Sequence, residues 1–389
     1  MKNDSRPLFV GLSIFVLMLC ANAGASAPYE VTPVGSFTPS WAWSLNDSGA
    51  VLFSTGATDT TPQRAYVWQG GIAQEIPTAS SLDTVGLAMN NMGVVAGVLT
   101  ACNGIQQGFI WNASEGLTTL NLPGTDDSEI RGINNQSQVV GAAANSVTGQ
   151  YNAFVWSSSS GATILASLGS GESLANSINN AGQIVGSSGD PVLNSYPFDP
   201  NASLGQQHAV MWQNGAVIDL TPSSPWSEAI DVNDRGQVVG YRMSVVLFDG
   251  GFQAFSVPFV WDSIHGAVDL PLVGDQASAV AINDEGEIVG YSGNGDADAR
   301  AILWQGGSVY DLNTLLPENS GWILQYAMDI NNLGEIAGVG MYEGQEQSFL
   351  LAPTSIAITP EPAFCGVFVL GAFGLRPLRK EDKRDCHGY

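Results

Sequence analysis

The chain has 389 residues, with 36 acidic and 12 basic side chains and a formal net charge of −24. Charged residues make up 12% of it, about half the usual share, while the 44% of apolar residues suffice for a large core and exclude disorder. The shortage of lysine and arginine argues against nucleic-acid binding, which needs cations to neutralise phosphates, and four cysteines are too few for a disulfide scaffold.

Residues 1–25 have the pattern of a secretory signal peptide. Lys2 and Arg6 precede an apolar run over residues 8–20, and small residues follow as far as Ala25. A basic start, an apolar middle and a small-residue cleavage site are the three parts of such a leader. We expect cleavage after Ala23 or Ala25 and export of the remainder. The alternative interpretation is an N-terminal membrane anchor.

Seven polar tetrads recur along the middle of the chain. Each reads Asn, then Asn or Asp, a variable residue, and Gly or, once, Ser, at spacings of 44, 44, 45, 54, 50 and 48 residues. Asn and Asp begin type I turns by bonding their own backbone, and Gly accepts the left-handed conformation that follows. We therefore predict that each tetrad is a tight hairpin turn rather than a set of metal ligands. The tetrads begin at Asn46, Asn90, Asn134, Asn179, Asn233, Asn283 and Asn331.

Short β-type runs surround every tetrad and predict four strands per unit. One run precedes the turn, a second ends in Val-Gly or a similar pair, a third is small-apolar-apolar-Trp, and a fourth follows at once. Four strands in about 44 residues are typical of a propeller blade. Residues 29–35 form a lone strand of the fourth type, and the last unit lacks that type. The sequence therefore predicts an all-β, seven-bladed propeller over residues 28–353, its last blade closed by one N-terminal and three C-terminal strands.

These units resemble the HAF-type extracellular repeat. The matching features are the strand that ends in Trp, the Asp-Leu strand ends such as Asp219-Leu220 and Asp269-Leu270, and the Ile-Asn-Asx-x-Gly-x-Ile/Val-Val-Gly run. The resemblance implies an extracellular location and a propeller-like array, and it implies no established activity. Because the recurring Trp residues hold a fixed place in each unit, we predict that they pack in the core between blades.

The C-terminal segment, residues 354–389, resembles the PEP-CTERM sorting signal of Gram-negative bacteria. The tripeptide Pro360-Glu361-Pro362 precedes an apolar stretch over residues 363–375 and a basic cluster that includes Arg376, Arg379 and Lys380. The resemblance implies sorting by an exosortase-type peptidase, transient membrane contact through the tail, and delivery to the cell surface. An ordinary C-terminal membrane anchor is the alternative, although 13 apolar residues are fewer than the roughly 20 that span a bilayer.

Removal of both ends leaves an acidic body. Residues 24–362 retain 5 basic and 32 acidic residues, a formal charge of −27, and no lysine. If the first strand of each blade is innermost, the blade-to-blade connectors and the loops between second and third strands share one acidic face. Two of these loops, at residues 187–207 and 241–257, are long, and long loops on a rigid scaffold are where binding usually resides.

Several residues on this face are candidate ligand contacts. Trp226 and Trp322 lie outside the repeat pattern, in the connectors before a first strand, and Asp126 and Asp127 lie in another connector. Asp296 and Asp298 give the best match to a Ca²⁺ loop, although a terminal bidentate Glu is missing. No other cofactor is predicted. His208 and His265 lack a second ligand at zinc spacing.

The sequence predicts a non-catalytic binding or scaffold module of the extracellular matrix. Its predicted partners are extracellular polysaccharides, surface proteins or cations. The alternative is a lectin or a glycan-active hydrolase that uses paired carboxylates on the loop face or in the central channel, about 5–10 Å apart. The body has five arginines, few for an anionic substrate, which favours binding, and no catalytic residue is assigned.

Overall fold

The computed structural model describes residues 28–354, apart from 57–60, 80–81, 102–103, 123–127, 146, 170, 190–206, 225, 249–250, 275 and 294–297. The described chain forms seven four-stranded antiparallel sheets. Each sheet is one blade, and the blades follow one another in chain order around a central axis. The predicted signal peptide and the predicted sorting tail lie outside the described residues.

The strand bounds follow the seven predicted units. In chain order they are β1 (Tyr29–Pro33); in blade 1, β2 (Ser40–Leu45), β3 (Val51–Thr55), β4 (Ala65–Gln69) and β5 (Ile72–Glu75); in blade 2, β6 (Asp83–Met89), β7 (Val95–Thr100), β8 (Gln106–Asn112) and β9 (Gly116–Thr119); in blade 3, β10 (Ser128–Ile133), β11 (Val139–Ala144), β12 (Tyr151–Ser157) and β13 (Gly161–Ile164); in blade 4, β14 (Ser173–Ile178), β15 (Ile184–Gly189), β16 (Gln207–Gln213) and β17 (Ala216–Asp219); in blade 5, β18 (Ser227–Val232), β19 (Val238–Phe248), β20 (Gly251–Asp262) and β21 (Gly266–Asp269); in blade 6, β22 (Ala277–Ile282), β23 (Ile288–Ser292), β24 (Arg300–Gln305) and β25 (Ser308–Asp311); and in blade 7, β26 (Trp322–Ile330), β27 (Ile336–Tyr342) and β28 (Gln345–Pro353). A 3₁₀ turn, Leu312–Leu315, follows β25.

Strand β1 completes blade 7, and the predicted closure is confirmed. It pairs antiparallel with β28 from Tyr29 opposite Pro353 to Pro33 opposite Phe349, and the strand order of that sheet is β1-β28-β27-β26. Joining the two ends of the chain in one sheet leaves no blade with a missing outer strand. The N-terminal strand β1 therefore closes the ring, and it covers the edge of β28 that would otherwise be open to pairing with another strand.

The first strand of each blade is innermost. Strands β2 and β26 belong to the first and last blades in chain order, yet Ser44 Oγ donates to Asp329 across their junction at 3.1 Å. Because adjacent strands are antiparallel, all seven tetrad turns lie on one face, here called the tetrad face. The blade-to-blade connectors and the second-to-third-strand loops lie on the opposite face, here called the connector face. The two faces can therefore have different chemistry.

The predicted turn chemistry is confirmed in every tetrad. The fourth residue has a positive φ, between 73° and 81° at the six glycines and 56° at Ser137. A glycine also ends the second-strand run in six blades, with Phe53 in its place in blade 1, and this glycine is required for a different reason. A Cβ at Gly141 would lie 1.8 Å from the carbonyl oxygen of Glu129, because the first strand bulges between Ile130 and Gly132 and brings that carbonyl close.

The apolar core lies between consecutive blades, as predicted for the repeated Trp. In one such cluster Ala96 and Val98 of blade 2 meet Phe154 and Trp156 of blade 3. Five of the recurring indoles are only 3–8% exposed, and Leu351 fills the equivalent place in blade 7. Trp261 is partly buried. The buried indoles are those of Trp68, Trp111, Trp156, Trp212 and Trp304.

Two predicted loops are instead ordered strand. Residues 241–257 continue the β19–β20 ladder as far as Phe248 opposite Gly251, so blade 5 carries a long hairpin on the connector face. Strand β26 begins at Trp322, seven residues before Asp329, whereas β18 begins only four residues before the equivalent Asp231. The connector before blade 7 is therefore shorter than predicted. Among the described residues, no helix has the length and apolar character to cross a membrane.

Candidate functional site

Seven buried asparagines form a closed ring of hydrogen bonds on the tetrad face. The first Asn of each tetrad donates from Nδ2 to the main-chain carbonyl of the first Asn in the next blade, over 2.9–3.4 Å. The bond from Asn331 to Asn46 closes the circle at 3.1 Å. Each Oδ1 also accepts two main-chain N–H groups of its own turn; Asn179 accepts from Ala181 at 3.1 Å and from Gln183 at 2.9 Å. One side chain thus shapes the turn and ties two blades together.

The second tetrad residue forms a second closed ring outside the first. Its main-chain N–H donates to the side-chain Oδ1 of the second residue in the next blade, over 2.7–3.0 Å at all seven junctions. The ring contains Asp47, Asp234 and Asp284, and Asn91 Nδ2 donates to Asp47 at 2.7 Å. These oxygens already hold N–H donors, which supports a turn role over metal ligation. Among the described residues, no three His, Cys, Asp or Glu side chains are grouped to hold a metal.

Two carboxylates break the sevenfold symmetry near the axis. The residue two positions before each tetrad follows a strand bulge, and in blades 1 to 5 it lines a channel of about 230 Å³ on the tetrad face. It is small in five blades and Asp in blades 5 and 7. Asp329 Oδ2 accepts from Leu45 N at 2.7 Å and from Ser44 Oγ at 3.1 Å. Asp231 accepts from Ser177 Oγ at 2.6 Å and from Ile282 N at 2.9 Å.

The hydrogen-bond donors named above for the two axial carboxylates include no arginine or lysine. No positive charge among these donors offsets the cost of ionisation, and the pKa of each carboxylate is raised. Enclosure inside the ring raises the pKa of Asp329 to about 7, and the negative charge of Asp231 raises it as well, against the hydrogen bonds from Leu45 and Ser44. Enclosure also raises the pKa of Asp231, opposed by hydrogen bonds from Ser177 and Ile282. An ionised Asp329 beside the charge of Asp231 is costly in this enclosed place, so protonation of Asp329 contributes to the stability of the ring.

A crevice on the connector face is a second cavity among the described residues. This Trp226 crevice has a volume of about 280 Å³ and lies between blades 3 and 4, with its far wall supplied by the connector into blade 5. Aromatic, acidic and neutral polar side chains line it together. The lining residues are Glu129, Ala142, Tyr151, Glu172, Ser173, Leu174, Ser187, Gly189, Gln207 and Trp226.

Backbone pairing holds Trp226 in this wall. Its main chain forms a parallel bridge with Gln207, and its carbonyl accepts from Met243 N at 2.9 Å. Gln207 Nε2 donates to Ser187 Oγ at 2.7 Å, while Arg131 pairs with Glu129 at 2.7 Å. The indole N–H of Trp226 is buried and has no hydrogen-bond acceptor among the described residues. The crevice therefore combines an aromatic ring on a paired backbone with two carboxylates.

The structure separates the predicted ligand contacts. Trp226 lies in the crevice wall, whereas Trp322 is buried, 8% exposed, and its ring stacks on Tyr342 with centroids 4.9 Å apart. Its place outside the repeat pattern comes from the longer first strand of blade 7. Asp126 and Asp127 lie outside the described residues, as do the sorting residues Pro360, Glu361, Pro362, Arg376, Arg379 and Lys380.

The Ca²⁺ site at Asp296 and Asp298 stays a prediction. Asp298 is exposed, and Asp296 lies outside the described residues. If the site exists, Ca²⁺ titration gives heat and a higher Tm, and Asp298→Asn removes both because a hard cation needs the carboxylate oxygen. Calorimetry with no heat and an unchanged Tm would remove the site.

Comparison with known proteins supports the fold and nothing finer. No protein-family model matches the chain, and no curated protein matches it. Among solved structures, it is similar to the β-propeller domain of the Trilobed protease from Pyrococcus furiosus, with a TM-score of 0.53 and 9% identity over 81% of this chain and 94% of that one. It is also similar to the acylaminoacyl peptidase from Pyrococcus horikoshii, with a TM-score of 0.50 and 10% identity over 80% of this chain and 53% of that one. Together with the seven sheets, these likenesses define the chain as a β-propeller.

Proposed function

We propose that this chain is an exported, non-catalytic binding module of the cell surface and extracellular matrix. The observation that carries the proposal is the difference between its two faces. On the tetrad face, the turns are joined by two continuous rings of hydrogen bonds around the mouth of the channel. The connector face instead carries the Trp226 crevice and the long β19–β20 hairpin. A rigid ring that presents one structured, acidic face suits the capture of a ligand by preformed surfaces. In this proposal the leader directs export and the C-terminal tail directs delivery to the cell surface.

The axial carboxylates are the observation that would favour a hydrolase, and their contacts support a structural role instead. A general acid must give its proton to the leaving group and a nucleophile needs an unshielded oxygen. Asp329 Oδ1 accepts from Ile330 N at 2.8 Å and Oδ2 accepts two further bonds. The oxygens of Asp231 are likewise held by Ser177 and Ile282. Both carboxylates are thus engaged in joining blades.

Export is tested by expressing the full chain in a Gram-negative bacterium that has an exosortase. We expect a protein in the surface or medium fraction that begins at Gly24 or Ser26, because the leader has been removed. Replacing Arg376, Arg379 and Lys380 by Gln should reduce the surface fraction several-fold, since the basic cluster anchors the tail. Fractionation, N-terminal sequencing and intact mass measure both results.

The control is Arg235→Gln, which removes a basic residue from an exposed turn of the tetrad face and should leave sorting unchanged. A full-length protein that stays in the cytoplasm with its leader attached would contradict the proposal. So would hydrolysis of glycans by the purified protein at a rate that Asp329→Asn abolishes.

A further inference from the structure

We propose that the Trp226 crevice is a subsite for one pyranose sugar that carries no carboxylate, either a neutral hexose or an amino sugar. This inference rests on the proposed binding function and gives that function a ligand class. It depends on three properties of the crevice: its size, its aromatic wall and its charge.

The size of the crevice fits a single ring. Its volume of about 280 Å³ lies at the lower end of the range for small-molecule sites, about 300–1,000 Å³. A monosaccharide unit fills such a space, whereas a long peptide would leave most of its contacts outside. The walls come from three successive blades, so the closed ring holds them in place before a ligand arrives. Such preorganisation lowers the entropy cost of binding.

The chemistry of the walls suits a ring with one apolar face and an edge of hydroxyl groups. The indole of Trp226 and the phenol ring of Tyr151 supply apolar surface with a polar edge. Glu129 and Glu172 supply carboxylate acceptors, which make hydrogen bonds stronger than those of neutral acceptors.

The charge of the walls selects against acidic sugars. Glu172 and Glu129 would repel the carboxylate of a uronic acid at close range, and the nearby cation, Arg131, is already paired with Glu129 at 2.7 Å. An ammonium group, in contrast, would gain a salt bridge with Glu172 and a contact with the aromatic faces. We therefore expect an amino sugar to bind more tightly than the neutral sugar of the same stereochemistry.

The test measures binding to the full-length protein for three sets of monosaccharides by calorimetry and saturation-transfer NMR. The sets are neutral hexoses, their 2-amino derivatives and their uronic acids, each in the gluco, galacto and manno forms. At least one stereochemical series should bind, with the amino sugar tighter than the neutral sugar and the uronic acid at least tenfold weaker. Binding by no neutral or amino sugar, or tighter binding by a uronic acid, would overturn the inference.

Four variants separate the crevice from the rest of the surface. Trp226→Ala should weaken binding of the neutral sugar at least tenfold, and Glu172→Gln should remove most of the preference for the amino sugar. Two matched controls should stay within twofold of the parent protein: Tyr310→Ala, an aromatic residue 39% exposed on the outermost strand of blade 6, and Glu285→Gln, an exposed acid of the tetrad face. Circular dichroism and the urea midpoint show that each variant is folded.

The outcomes distinguish the two proposals. If the variants fold and sugar binding is absent or unaffected by Trp226→Ala, the crevice assignment fails while surface sorting can still be measured independently. If the protein stays inside the cell but binds sugars through the crevice, the proposed location fails and the crevice assignment stands.

Discussion

Replacing Asn179 by Ala should lower the free energy of unfolding by about 3 kcal/mol or more, because the change removes a buried bond between blades and leaves two partly buried N–H groups of the turn without their acceptor. Asn179 is 4% exposed and accepts from Ala181 N and Gln183 N. Its Nδ2 also donates to the carbonyl of Asn233 in blade 5 at 2.9 Å. Loss of the side chain therefore releases a turn and one of the seven links between blades. Urea unfolding followed by circular dichroism measures the effect.

Asn180→Ala is the matched control in the same turn. Asn180 lies in the outer ring, where Oδ1 accepts from Asn135 N at 2.8 Å and Nδ2 donates to Asp234 at 2.7 Å in an exposed setting. Water can replace both bonds at this surface, so the expected loss is about 1 kcal/mol or less. Equal losses from the two variants would contradict the assignment of the inner ring as the main link between blades.

Asn179→Asp separates the two duties of the side chain. Aspartate keeps the oxygen that accepts the turn N–H groups, but it cannot donate to the carbonyl of Asn233 and it puts a negative charge beside that oxygen. At neutral pH we expect a loss of stability close to that of the alanine variant. At low pH, protonation should recover part of the loss, because the protonated acid is again a donor.

The sequence predicts the turns well because their chemistry is local. Asn bonds N–H groups two and four residues away, and a positive φ at the fourth residue needs only the identity of that residue. The ring of bonds between blades could not be predicted in the same way, since the partner of Asn331 is Asn46, at the other end of the propeller. Its geometry exists only after closure.

The axial carboxylates were missed for a different reason. Asp231 and Asp329 sit in strands where polar and apolar residues alternate, so each looks like an ordinary polar position when its unit is read alone. Aligning the seven units would have revealed them, because the same column holds Ser, Ala or Gly in the other five blades. The residues of that column are Ser44, Ala88, Gly132, Ser177, Asp231, Ala281 and Asp329.

Departure from the repeat pattern was an incomplete signal for binding. Trp226 and Trp322 both broke the pattern, but Trp226 lines the crevice and Trp322 packs in a hydrophobic core. Trp322 is buried because the first strand of blade 7 is longer than its counterparts, and its indole stacks on Tyr342 and meets Phe349 edge-on. An extra aromatic residue can therefore extend the core as readily as it can build a surface, and strand length decides between the two.

Asp329→Asn should make the protein more stable than the parent above pH 7 and leave it no more stable near pH 4. The pKa of Asp329 is about 7 in the folded protein and about 3.9 in an unfolded chain. A raised folded pKa gives a stabilisation that is complete below pH 4 and is lost as the pH rises through 7. The ionised form then costs on the order of 4 kcal/mol, and the uncharged Asn avoids that cost while still offering an oxygen to Leu45 N.

Asp231→Asn tests whether the charges of the two carboxylates interact. The charge of Asp231 helps to raise the pKa of Asp329, so its removal should move the pH at which stability falls to lower values. Asp262→Asn is the control of opposite sign, because hydrogen bonds from His265 lower the pKa of this exposed carboxylate to about 2. Its pH profile should follow that of the parent above pH 5.

Unfolding curves from pH 4 to pH 9 measure all three variants. Parallel curves for the parent and Asp329→Asn would show that Asp329 ionises as an ordinary carboxylate. The effect of the Asp231 charge on the pKa of Asp329 would then be absent. If the curves converge at low pH and separate above pH 7, Asp329 holds a proton in the folded ring at neutral pH. A ring with a small residue at this position in every blade would have no such proton. The two aspartates would then be a site where this propeller loses stability at alkaline pH because charge forms near its axis.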